Sequence, residues 1–402
     1  MEVMVQKYTS DLPAARSAED HSSRSQPDKH TVVLTGSTGS LGNYILQELI
    51  ASPEVATVYC LNRGPDAEDR QRRSFEARGT SPDFTKVVFL QSDFAAHHLG
   101  LTEKVYHDLL GTATLFVHNA WAVDFNQTLE SFEKTHIAGV RRCVDFSLAS
   151  ICNAHLVFIS SIAGVANWSA KEAVPEQIFE DHSLPAQSGY GESKHVAELI
   201  LAVAAEKSGL KCTVVRAGQL AGPTDARSTW SKQEWFPSLV ITSRGLGVLP
   251  ERLGSSGNVV DWVPMDVAAK TVWEVASAAS ARTAQGRAVE VAHLVNPQRT
   301  SWSQLVPGVA KVLRRKGGDD GCVDVVPWQE WLDRLRAVPQ TKENLERNPA
   351  LKLLGFYEGL GADQRGLPRL STHRTAEQSK AMKGMGPITD ELMRKWADSW
   401  FA

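Results

Sequence analysis

The 402-residue sequence predicts an α/β fold built on a doubly wound parallel sheet, followed by a mostly helical C-terminal subdomain. Three observations carry this. Short β-branched apolar runs recur between Thr31 and Asn296, helical stretches separate most of them, and the first run ends on a glycine-spaced turn that leads into a helix. Runs that are continuously apolar, not alternating, suit strands covered on both faces, and strand–helix repetition demands right-handed crossovers.

Residues 1–29 are polar and Ser-rich (Ser17, Ser22, Ser23, Ser25), which reads as a linker or flexible arm. "TVVLTG" (31–36) is the first central strand, and Leu41, Ile45, Leu46, Leu49 and Ile50 recur at helical spacing behind it. Further strands are expected at 57–62, 86–90, 114–119, 155–161, 212–218 and 292–296, with helices around 130–151 and 192–208. A nucleotide-binding domain is therefore expected over 30–299, carrying a substrate-subdomain insertion at about 224–258 where Trp, Pro and Gly crowd the chain. Residues 300–402 read as a helical substrate and docking subdomain, whose tryptophans (Trp302, Trp328, Trp331, Trp396, Trp400) are better explained by core packing than by stacking on a ligand.

Composition narrows the function. Hydrophobic residues make up 42% and charged residues 22%, so the chain is long and apolar enough for a large core. A net charge of -3, with one short basic cluster (Arg314-Arg315-Lys316) read as a solvated helix end, points away from nucleic acid. No apolar run is long enough for a membrane helix and no signal peptide is recognisable, so a soluble, cytoplasmic protein is expected. The five cysteines (60, 143, 152, 212 and 322) form no C-x-x-C pair, and His97, His98 and His107 lack ligand spacing; neither a disulfide framework nor a metal is expected.

The chemistry concentrates at strand ends. "GSTGSLG" lies between the first strand and first helix, with glycines free to turn tightly and a helix N-terminus free to meet a pyrophosphate; Thr35, Gly36, Ser37, Thr38, Gly39, Ser40, Leu41 and Gly42 are the candidate cofactor contacts. The second strand ends "YCLNRG", where an acid would favour NAD; Arg63 instead suits a 2′-phosphate, so NADPH is expected. Asp93 follows the third strand, suited to the adenine, and Asn119-Ala120 the fourth, suited to a ribose. Ser160-Ser161 ends the fifth. Tyr190 and Lys194 stand four apart, on one helix face; taken alone, that spacing is compatible with chance on a helix surface. Among six tyrosines, Tyr190 is the one with a lysine four residues on.

Together these residues resemble the extended branch of the short-chain dehydrogenase/reductase superfamily. The resemblance implies Ser161, Tyr190 and Lys194 as catalytic residues. Tyr190 would donate the proton, Lys194 would assist it while binding the nicotinamide ribose, and Ser161 would bond the substrate oxygen. Ser161 is chosen over Ser160 by analogy with such pairs, and Ser160 stays open. Ala217 departs from the proline usual after strand six, which leaves the nicotinamide contact there undefined.

A narrower resemblance covers nearly the whole chain. "VQKYTSDLP", "HNAWAVDFNQTLESFE", "HLVNPQRTSWSQLVPGVAKVL", "NPALKLLGFYEGL" and "GPITDELMRKWADSW" are similar to terminal thioester reductase domains of fungal adenylation–thiolation–reductase carboxylate reductases and of nonribosomal peptide or polyketide synthases. That implies NADPH-dependent release of an acyl chain from a phosphopantetheinylated carrier domain, as aldehyde or, after a second round, alcohol. "KYTSDLP" resembles the linker from carrier to reductase, so the carrier is expected to act in trans or to have been cut away. Trp121, Phe125 and Gln219 are candidate substrate contacts by position alone. The rivals are a free-standing reductase of a small carbonyl compound and a non-catalytic NADP(H)-sensing protein; a hydrolase is disfavoured because no G-x-S-x-G elbow occurs.

Overall fold

The structure is a computed structural model that describes residues 1–15, 28–81, 83–225, 230–254, 257–281, 289–315, 323–362 and 366–401. It divides into two compact units. Unit 1 comprises 1–218, 265–295 and 368–384; unit 2 comprises 219–264, 296–367 and 385–402.

Unit 1 holds a seven-stranded sheet of β1 (His30–Thr35), β2 (Val55–Asn62), β3 (Val87–Gln91), β4 (Leu115–His118), β5 (His155–Ser161), β6 (Cys212–Ala217) and β7 (Val289–Leu294). The order is β7-β6-β5-β4-β1-β2-β3 and every neighbouring pair is parallel. All seven expected strands form, the last starting earlier than its apolar run. The order reverses between β1 and β4, which opens a crevice at the carboxyl ends of those strands.

The helices of unit 1 used below are α1 (Glu2–Thr9), α2 (Ser40–Ala51), α3 (Ala67–Ala77), α4 (Glu103–Thr112), α5 (Ala138–Ala149), α6 (Gly189–Ser208) and α7 (Met265–Ala281). α7 packs on α2, and α5 packs on α6, whose Val196, Ile200 and Leu201 join Phe116, Leu156 and Phe158 in one buried cluster. α6 starts where Ser188 Oγ accepts the Gly191 N–H at 3.2 Å and stops at Gly209, which takes a φ of 71°. These are ordinary N-cap and C′ devices, and they put Tyr190 and Lys194 in the first two turns.

The expected flexible arm is corrected at its start: residues 2–9 are helical. Lys7 Nζ and Tyr8 Oη both donate to Glu133, at 2.7 and 3.1 Å, and Arg141 of α5 donates to the Tyr8 carbonyl and pairs with Asp11. Ser208 Oγ donates to the Pro13 carbonyl and the Ala15 N–H to that of Lys207, so this segment is tied to α5 and α6. Residues 16–27, including the serines that suggested a linker, lie outside the described residues.

The expected boundary at 299/300 also differs from the structure. Residues 368–384 belong to unit 1, because buried Glu176 accepts the N–H groups of Arg374 and Thr375 at 2.7 and 2.8 Å, and Thr375 Oγ1 accepts the His293 N–H of β7 at 2.8 Å. The insertion, in turn, shares one core with the C-terminal region in unit 2.

That core gathers Trp230, Phe236, Trp262, Trp302, Trp328, Trp331, Trp396 and Trp400. Helices Trp235–Leu246, Trp302–Arg315, Trp328–Arg336 and Asp390–Trp400 supply most of it. Four of the indole nitrogens are spent internally, Trp302 donating to the Pro250 carbonyl, Trp331 to Ser243 Oγ, Trp396 to the Pro223 carbonyl and Trp400 to that of Trp230, whereas that of Trp328 is buried without a partner among the described residues. Buried rings with satisfied N–H groups are packing elements. Trp331→Ala is expected to cost about 3–5 kcal/mol, read by denaturant unfolding; a loss under about 1 kcal/mol would show that this core repacks freely. Lys316–Asp320, the tail of the basic cluster, fall outside the described residues.

Candidate active site

The turn after β1 is shaped for close approach. Gly36 has a φ of 68°, and a Cβ there would meet Ala120 Cα at 2.9 Å; a Cβ on Gly42 would run into the Gly36 carbonyl oxygen. Only glycine serves at these two places. The Gly39 N–H bonds the Gly36 carbonyl at 3.1 Å, and α2 opens with Ser40 exposed, Thr38 partly exposed and Leu41 buried. A bend of glycines and small hydroxyl residues, followed by the unpaired N–H groups of a helix start, makes a cradle for an anion.

The neighbouring strand ends complete it. Asn62, standing where an acid would favour NAD, exchanges hydrogen bonds with buried Ser37 at 3.0 and 3.3 Å. Arg63 is exposed, and its guanidinium has no hydrogen-bond or ion-pair partner among the described residues. Asp93 Oδ1 accepts the Ala95 N–H at 2.8 Å, and the Asp93 N–H bonds Leu99 in a turn where His98, Leu99 and Gly100 all take positive φ. Asn119 donates its side-chain amide to the Gly36 carbonyl at 3.1 Å. The backbone N–H groups of Asn119 and Ala120 both reach Thr35 Oγ1 at 3.0 Å, so the hydroxyl proton is left for His118 Nδ1, also at 3.0 Å. His118 therefore carries its proton on Nε2, and burial first, then the nearby Lys194, hold its pKa down at about 3.

Tyr190 and Lys194 are buried, at 8% and 2% exposure, and Ser161 is buried beside them. Burial raises the Tyr190 pKa, and a hydrogen bond with Ser161 pulls it back. Lys194 Nζ donates to the Ile159 carbonyl at 2.7 Å and lies 3.9 Å from the Trp121 ring centroid, against 5.9 Å for the Tyr190 ring. Burial holds its pKa well below the usual lysine value, with Glu198 opposing. The ammonium is thus seated between a carbonyl and aromatic faces, not on the Tyr190 hydroxyl.

Ser160 and Ser161 have separate partners. Ser160 Oγ donates to Glu198 at 2.6 Å, whereas Ser161 Oγ accepts the Ala163 N–H at 3.1 Å and meets Tyr190. Of the substrate candidates, Trp121 lies on Lys194 and on His136 (ring centroids 4.8 Å), and Phe125, half exposed, packs edge-on against Tyr190 at 5.1 Å. Gln219 belongs to unit 2, where its side-chain oxygen accepts the Trp235 indole N–H at 2.7 Å.

The sequence reading missed two features. His136 sits in a π-helical turn, Glu133–Ile137, and its Nε2 accepts the Ala122 N–H at 3.3 Å, propping the loop that carries Trp121. Glu198, one turn past Lys194, is fully buried against Arg216 of β6. The signal for that pair was present: an arginine inside the apolar run "TVVRAG" demands a buried counter-charge.

A glycine cradle at the switch point of a parallel sheet, with a buried Tyr and Lys on the helix after β5, defines a dinucleotide-binding domain of the Rossmann type. The described residues contain no group of three or more metal-ligating side chains and no helix long and apolar enough to cross a membrane. Residues 34–272 match the NAD-binding family described as male sterility protein, and the chain belongs to that family. Over 405 aligned residues it is 40% identical to a carboxylic acid reductase of Neurospora crassa, covering all of this chain and 37% of that protein. It is 32% identical to the non-reducing polyketide synthase tazA of Aspergillus terreus, covering 92% of this chain and 14% of that one. The chain thus spans about a third or less of the length of these curated relatives. Its fold is that of the terminal R domain of a myxalamid biosynthetic PKS-NRPS, with a TM-score of 0.75 at 21% identity over 99% of this chain and 96% of that one.

Proposed function

We propose that the chain uses NADPH to reduce an acyl group carried as a thioester on the phosphopantetheine arm of a carrier domain, releasing the aldehyde and the free thiol. The observation that carries this reading is the convergence of buried Ser161, Tyr190 and Lys194 at the carboxyl end of β5. Sequence kinship to a carboxylic acid reductase and to polyketide synthases supports the thioester as substrate and a carrier as partner.

The residues present fit a dinucleotide phosphate: the glycines let the turn after β1 pack tightly against Ala120 and the start of α2, whose N-terminal N–H groups suit an anion, and Arg63 offers a guanidinium to a 2′-phosphate. When bound, NADPH supplies a hydride to the thioester carbonyl carbon. Ser161 bonds the carbonyl oxygen as negative charge grows there, and Tyr190 delivers its hydroxyl proton to it. Lys194, seated on the Ile159 carbonyl, would hold the nicotinamide ribose when the cofactor is bound and lend its charge to Tyr190. The resulting thiohemiacetal breaks its C–S bond, giving aldehyde and carrier thiol. A second hydride and proton would give the alcohol.

The test is NADPH oxidation with an acyl-N-acetylcysteamine thioester or an acyl-loaded carrier, run beside the matching aldehyde. Thioester-dependent oxidation is expected, with one thiol released per NADPH when the aldehyde is the product and one per two when it goes on to the alcohol. Tight NADPH binding without turnover on a loaded carrier would sink the reading in favour of an NADP(H) sensor. Arg63→Ala is expected to weaken NADPH by roughly 10–100-fold and NADH by less than about 3-fold, judged by binding titration. Equal losses for the two would refute the 2′-phosphate assignment.

A further inference from the structure

Tyr190, Lys194 and Glu198 stand at i, i+4 and i+8 on α6, yet the carboxylate touches neither of the other two in any direct bond. Its contacts run to the strands instead. One oxygen accepts the Ser160 hydroxyl of β5 at 2.6 Å; both accept Arg216 of β6, through Nε at 3.0 and 3.2 Å and through a terminal nitrogen at 2.6 Å. Arg216 continues to His293 of β7, whose Nε2 lies 3.3 Å away. His293 Nδ1 bonds the Ser371 carbonyl at 2.7 Å, which puts the ring proton on Nδ1 and leaves Nε2 to accept from Arg216. Every side chain in this chain is buried, with Arg216 and His293 at 0% exposure and Glu198 at 1%.

Two carboxylate oxygens thus receive four hydrogen bonds in a dry interior. A buried pair so fully bonded is weak evidence for stability, since a well-packed apolar replacement is often no worse; its plainer product is fixed geometry. What it fixes is Ser160, and Ser160 is flanked by the two groups the site needs: the Ile159 carbonyl that holds Lys194, and Ser161, whose hydroxyl draws the Tyr190 pKa down.

We propose that Glu198 is a positioning residue: by binding Ser160 and Arg216 together it clamps the end of β5 to α6, holding Ser161 and the Ile159 carbonyl in register with Tyr190 and Lys194. This rests on the Ser161–Tyr190–Lys194 reading above. It also gives the adjacent serines different work, Ser160 in the clamp and Ser161 on the substrate. The other titratable groups bearing on the clamp and on Lys194 are His195 on α6, Arg216 on β6, His293 on β7, His118 on β4 and His136 in the π turn.

The experiment compares Ser160→Ala, Glu198→Gln and the double variant with the parent chain. Ser160→Ala removes only a hydroxyl, so it keeps the inference testable if Glu198→Gln, which strands Arg216, fails to fold. Thermal unfolding and NADPH titration come first. Expected for Ser160→Ala is a kcat at least 10-fold lower with KM and NADPH affinity within 3-fold, and a double variant no slower than Glu198→Gln, because both changes break one bond. The Tyr190 ionisation, read as the phenolate absorbance difference from a Tyr190→Phe background, is expected to move to higher pH as the Ser161 bond loosens. An unaltered kcat together with an unaltered Tyr190 titration in Ser160→Ala would overturn the proposal. If the parent chain turns over neither thioester nor aldehyde, the functional reading fails, while the Tyr190 titration, which needs no substrate, still decides the clamp.

Discussion

Tyr190→Phe is expected to lower turnover of thioester and aldehyde by ~10²–10⁴-fold, the usual worth of a positioned general acid, while NADPH binds as before. The substitution removes one oxygen from a ring that already packs edge-on against Phe125 and Phe132, so the fold has no reason to respond. Measurement of kcat and of NADPH affinity on the same preparation separates the roles. A variant that keeps near-parental turnover would mean that the proton comes from elsewhere, and the Ser161–Tyr190–Lys194 assignment would fall with it.

Unit 1 is expected to unfold steeply as the pH drops from 6.5 towards 4. Burial holds His118 and His293 at a pKa of about 3, and His136 and His195 at about 4. These pKa values are depressed, so between them and the unfolded value near 6.5 the unfolded chain binds more protons than the folded one. The stability they permit is present above pH 6.5 and is lost as the pH falls. At pH 5 each such histidine costs about 2 kcal/mol, and four together rival a domain's whole stability. Glu48, whose pKa burial raises, acts in the opposite direction. Circular dichroism against pH checks the sum, and His118→Asn, which does not titrate, should flatten the curve; an unchanged acid midpoint would show that His118 protonates without penalty.

The sheet was legible because each central strand is a short, mostly apolar run, and buried parallel strands take up such runs readily. The cradle was legible for a similar reason: Gly36 and Gly42 answer to backbone geometry, which leaves a mark on sequence. α1 was not. Its eight residues form no independent helix, and it exists through ion pairs and hydrogen bonds to Glu133 and Arg141, more than 120 positions away. The return of 368–384 to unit 1 was hidden likewise, since it rests on polar contacts to Glu176, Glu274 and His293, all far away in sequence. The roles of Tyr190 and Lys194 could be guessed from spacing, whereas the seat of Lys194 on the Ile159 carbonyl and the Trp121 face depends on packing that no spacing records.

The interleaving of the two units constrains when the protein comes into being. The polypeptide passes between them at 218/219, 264/265, 295/296, 367/368 and 384/385. Neither is finished early on the ribosome: unit 1 waits for Thr375 to receive Glu176, and unit 2 waits for Trp396 and Trp400 to fill its core. A truncation after residue 384 would leave unit 2 without two of its large buried rings, although it would spare every residue proposed for chemistry. Unit 2 therefore closes its core only once translation has passed its last tryptophan, Trp400.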